Sequence, residues 1–137
     1  MSSLSDFFLA EKNSTPSYNS DSQYPDKCEF RSLSVLEVAG ILAVLNDGDA
    51  IELLDEFKLL TPEDAEEWLY AIPDEMVQLL SSIQENEIAN VAEKCAIETE
   101  EEIEWEASDF IPVITELRSL AIKANEQSKG MYFWNSL

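Results

Sequence analysis

The sequence predicts a mainly α protein, a compact multi-helix domain carrying at most a minor two- or three-stranded sheet. Three observations lead there. Helix start signals recur, as Ser34-Val35-Leu36-Glu37 and Thr61-Pro62-Glu63-Asp64. Ile88, Val91, Ala92 and Cys95 fall at i, i+3, i+4 and i+7, the spacing of one helical face. Extended character is confined to three short pieces, residues 28–33, 102–107 and 131–135.

Taken in chain order, residues 1–29 read as a polar, flexible N-terminal arm. Within it, residues 3–10 (SLSDFFLA) supply a short amphipathic turn through Phe7, Phe8 and Leu9. The following stretch, 11–27, is rich in Ser, Asn, Asp and Pro and has no apolar period with which to offset the entropy of ordering. Residues 30–137 then read as a single helical domain. Ser34 to Glu37 form a capping box, in which hydroxyl and carboxylate satisfy reciprocal backbone donors. The helix they start runs to about Asn46, with Leu36, Ala39, Leu42, Ala43 and Leu45 giving it a wide apolar stripe and Asp47-Gly48 its stop. Residues 49–60 predict a short helix with Ile51, Leu54 and Phe57 inward.

Thr61-Pro62-Glu63-Asp64 then combines a side-chain cap, a proline at the first helical position and acids at the positive end of the helix dipole. The helix expected from it turns Trp68, Leu69 and Ile72 inward. Pro73 opens another, with Met76, Val77, Leu79, Leu80 and Ile83 apolar, and residues 85–97 form the next, which places Cys95 in the core. The final helix spans about 109–129, with Ile114, Leu117, Ala121 and Ala124 inward. Ser108 or Asp109 is its cap, and Gly130 ends it by tolerating a left-handed backbone. Strict alternation over 102–107 puts Ile103, Trp105 and Ala107 on one side of an extended chain, with Glu102, Glu104 and Glu106 on the other. Met131, Tyr132, Phe133 and Trp134 read as a closing strand, with an exposed interaction edge as the alternative.

Charge is the unusual quantity. The 137 residues hold 29 acids and 8 bases, a net of −21, and 19 of those 21 net charges belong to residues 47–109. Such a field repels phosphate backbones and anionic membrane surfaces, which argues against direct nucleic-acid or membrane binding. The longest apolar stretch, Val38–Leu45, is far short of the about 20 residues a membrane helix needs. No basic leader precedes the short Phe7–Ala10 run, so a soluble cytoplasmic protein is expected, with Cys28 and Cys95 as reduced thiols.

Catalytic constellations fail one by one. The chain has no histidine, which removes the commonest general base, the His-containing triads and most zinc sites. Gly40, Gly48 and Gly130 are isolated, so no phosphate-cradling loop can be built. Aligning Gly48 with the glycine of a calcium-binding loop puts Ala43, Leu45 and Leu54 at ligand positions, and the match fails. A carboxylate-dependent hydrolase would need two acids of divergent pKa in one cleft, and the sequence singles out no pair. No enzyme, cofactor or metal is expected.

What remains is the run ETEEEIEWEASD, residues 98–109, with seven carboxylates in twelve positions. Crowded acids are relieved when a cationic surface meets them. The leading expectation is a non-catalytic acidic protein-interaction module. Glu98, Glu100, Glu101, Glu102, Glu104, Glu106 and Asp109, with Trp105 as a candidate anchor, would meet a basic protein surface, helped by Glu63, Glu66 and Glu67. Inhibitor, immunity-type and nucleic-acid-mimic roles all fit such a face. The alternative is a structural or oligomeric subunit joined through Phe7, Phe8 and the aromatic C-terminus, its acids serving only solubility.

FRSLSVLEVAGILAVL, LLDEF and the terminal KGMYFWNSL resemble a family of small, acidic, uncharacterised bacterial proteins over residues 30–137. In that family a variable polar arm precedes a Leu-Glu-rich helix, and the chain ends in an aromatic Trp-Asn stretch. The resemblance implies a fold and no activity.

Overall fold

The computed structural model describes residues 4–12, 27–31, 33, 35–46, 57–61, 67–100 and 105–136. Their architecture is mixed α/β, which overturns the expectation of a mainly α protein with a minor sheet. Five strands form one antiparallel sheet: β1 (Leu4–Ala10), β2 (Lys27–Arg31), β3 (Lys58–Leu59), β4 (Glu67–Ala71) and β5 (Gly130–Ser136), in the order β2-β1-β5-β4-β3. Four α-helices accompany it among the described residues: α1 (Val35–Leu45), α2 (Asp74–Ser81), α3 (Ile88–Glu98) and α4 (Ala107–Gln127). A 3-10 turn, Glu85–Glu87, leads into α3.

β1 was hidden because it is buried on both faces, so Phe7-Phe8-Leu9 reads as a continuous apolar run instead of an alternation. β1 pairs with β5 from Leu4↔Ser136 to Ala10↔Gly130, and successive side chains point to opposite sides. Phe7 and Phe133 stack at 4.7 Å on one face, continued by Tyr70 at 6.1 Å from Phe133 and Phe30 edge-on to Phe7. Phe8 and Tyr132 stack at 5.6 Å on the other, in a cluster with Leu69 and Trp134. The amphipathic turn expected at Phe7-Phe8-Leu9 is therefore a central strand. Of the expected strand pieces, 28–33 and 131–135 contribute β2 and β5. The third, 102–107, does not: Ala107 already lies in α4, Trp105 and Glu106 are outside any strand, and 101–104 lie outside the described residues.

The helix expected to carry Trp68, Leu69 and Ile72 is also replaced by a strand. Trp, Leu and Tyr at 68–70 suit a pleated surface, and pairing with β5 outweighs the upstream cap signal. The Thr61 hydroxyl accepts a hydrogen bond from the Leu69 amide at 3.2 Å, and the Leu60 amide donates to Leu69 O at 2.7 Å. Thr61 thus ties β4 to the segment that precedes it. Of the helix expected over 49–60, residues 49–56 lie outside the described residues and Lys58–Leu59 is strand.

The remaining helices follow their sequence signals. α1 is apolar except for the buried Glu37 and is accordingly central, with Val38, Ala39, Ile41, Leu42 and Ala43 buried. Ser34, the expected cap, lies outside the described residues. α2 starts after Pro73 and turns Met76, Val77 and Leu80 inward. α3 buries Ile88, Ala92 and Cys95, and α4 buries Phe110, Ile114, Leu117, Ala121 and Ala124 among others. The cap of α4 differs from the expectation: Glu106 and Asp109 form a reciprocal capping box. So does its end, where Ser128 adopts the left-handed conformation at φ 54° while Gly130 begins β5. No described helix is long and apolar enough to cross a membrane.

Candidate functional site

The acidic run lies between α3 and α4, so these helices decide where it stands. α3 packs chiefly on α4 and α1, away from the sheet that α4 contacts directly. Its register is fixed by Ile88, Ala92 and Cys95 on the core side, continued by Thr99, which is buried and whose hydroxyl donates to Cys95 O at 2.7 Å. That register turns Glu93 and Ile97 to the opposite, solvent side. Glu98 and Glu100 are exposed at the end of the helix.

On the far side of the connector, the Glu106 amide donates to the Asp109 carboxylate at 2.9 Å, and the Glu106 carboxylate accepts in return from the Asp109 amide. Two of the seven carboxylates therefore satisfy orphan donors at the start of α4, where the helix dipole also favours negative charge. Both remain exposed. Trp105 is half-buried and sets its ring edge-on to Phe110 with centroids 5.1 Å apart, so it anchors the connector to this chain's own core. Glu101, Glu102 and Glu104, together with Glu63 and Glu66, lie outside the described residues. Glu67 belongs to β4 and accepts a hydrogen bond from Trp134 Nε1 at 2.8 Å, a role in the sheet and not in the α3–α4 surface.

Charge compensation is uneven over the molecule. Near the sheet, lysines accompany the acids: Lys12 lies 3.8 Å from Asp74 and Lys27 3.8 Å from Glu29. From residue 85 to residue 109 the sequence sets ten carboxylates against one lysine, Lys94. Among the described residues, no ion pair touches Glu93, Lys94, Glu98, Glu100, Glu106 or Asp109. The field of this face reaches inward as well. Burial pushes the Cys95 thiol from 9.0 up to about 12, and the nearby Glu98 carboxylate adds to the rise.

The two thiols are poor nucleophiles at neutral pH. Cys95 is fully buried, and Cys28 on β2 is also raised to about 12, first by burial and then by its contacts with Glu116. A thiol held that far above neutrality carries almost no thiolate. Among the described residues, no three Cys, Asp or Glu side chains are placed to share a metal ion. The apolar segments at the two ends are spent inside the sheet: Phe7, Phe8, Tyr132, Phe133 and Trp134 are all buried. Sequence reasoning missed Ile97, whose side chain is exposed on the same helix as Glu93 and Glu98. Its signal was its place off the 88-91-92-95 stripe. Comparison with known protein families, curated proteins and solved structures finds no match.

Proposed function

We propose that this protein binds a basic protein surface through the solvent face of α3 and the acidic connector into α4, without catalysing a reaction. The observation that carries the reading is the uncompensated charge of that face: among the described residues, no ion pair touches the exposed Glu93, Glu98, Glu100, Glu106 and Asp109, whereas Asp74 and Glu29 near the sheet have lysine partners. Exposed like charges repel one another, and a cationic partner relieves that repulsion while gaining in association rate. A protein inhibitor or a nucleic-acid mimic would use such a face in the same way, presenting carboxylates where a basic partner expects phosphates.

The test is affinity capture from a native lysate, with parent protein and a Glu93→Lys/Glu98→Lys/Glu100→Lys triple variant, each at low and high salt. Exposed charge contacts are screened beyond about 10 Å at 0.1 M salt. A partner captured by the parent should therefore be lost both at high salt and with the triple variant. Capture that survives both changes would refute the proposal.

A further inference from the structure

We draw no further inference here: the strongest candidate, the outer edge of the terminal strand β2 with Lys27 and Glu29 along it, carries none, because nothing among the described residues shows what covers that edge.

Discussion

Gly40→Ala is the most exacting test of how the acidic connector is tied to the core. A Cβ on Gly40 would lie 2.4 Å from Thr99 Cγ2, with the next nearest atom, Thr99 Cβ, at 3.9 Å. Carbon atoms in contact sit about 3.5–4.0 Å apart, so the conflict is severe and confined to one methyl group. Thr99 cannot turn aside freely, because it is 1% exposed and its hydroxyl holds Cys95 O at 2.7 Å. Overpacking of this kind costs about 1–3 kcal/mol, offset by about 1 kcal/mol from the better helix propensity of alanine, since Gly40 has an ordinary helical φ. A 2.4 Å approach belongs at the severe end of that range, so Gly40→Ala should lower stability by about 2 kcal/mol. Thr99→Ser removes the offending methyl and should cost about 1 kcal/mol alone. Together the changes should be less damaging than their sum by about 1–3 kcal/mol, because each accommodates the other. Urea unfolding of the four proteins, with equal denaturant slopes, measures this coupling. Additive effects, or a Gly40→Ala protein as stable as the parent, would show that α1 and the end of α3 are not in the contact described.

Three other outcomes are expected. Moderate salt should raise the melting temperature, because the field of 21 net negative charges strains the folded state; flat or falling stability from about 10 to about 200 mM salt contradicts this. Ser128→Gly should raise stability by up to about 1 kcal/mol in thermal or urea unfolding, because glycine adopts the left-handed conformation at the end of α4 without a Cβ penalty. Cys28 and Cys95 keep their protons in the folded state up to about 12 and lose them near 9.0 once unfolded. Their contribution is thus fully present below pH 9 and declines as pH rises above it, by up to about 1.4 kcal/mol per pH unit for each thiol. Urea unfolding at a series of alkaline pH values reads that slope, and a Cys95→Ala protein should show a shallower one. Alkylation of both thiols at pH 8 should proceed only as fast as the protein opens.

The helices buried on one side are the plainest elements in the sequence. α2, α3 and α4 carry an apolar stripe opposite a charged face, and Met76, Val77, Cys95, Ile114 and Leu117 were all placed inward correctly. β1 and β4 were not legible. Phe7 and Phe8 are both fully buried on opposite faces, which erases the alternation that marks a strand. Trp68 and Leu69 follow a strong cap signal that tertiary pairing with β5 overrides. Gly130 was assigned to the helix end, whereas it begins β5, where a Cβ would meet Tyr132 and Lys12 at an ordinary 3.4–3.6 Å. In the candidate site, the charge was plain from composition. The mutual capping of Glu106 and Asp109 was not, since carboxylates at those positions fit a solvated connector equally well. Ile97 escaped notice for the opposite reason, as an apolar residue beside an apolar stripe is presumed buried until the register is known.

β5 sits between β1 and β4, so it joins what would otherwise be two separate hairpins, β2-β1 on one side and β4-β3 on the other. Its partner β1 lies at the distant end of the sequence, with Leu4 opposite Ser136. Two-stranded ribbons are marginal in water, so each half of the sheet depends on this strand or on helix packing for its stability. Bringing its two ends together carries a large loop-closure cost, which assigns the sheet to a late stage of folding, after the sequence-local helix contacts. Refolding of a Trp68→Phe/Trp105→Phe protein, followed by the fluorescence of Trp134, should consequently lag behind the recovery of helical circular dichroism.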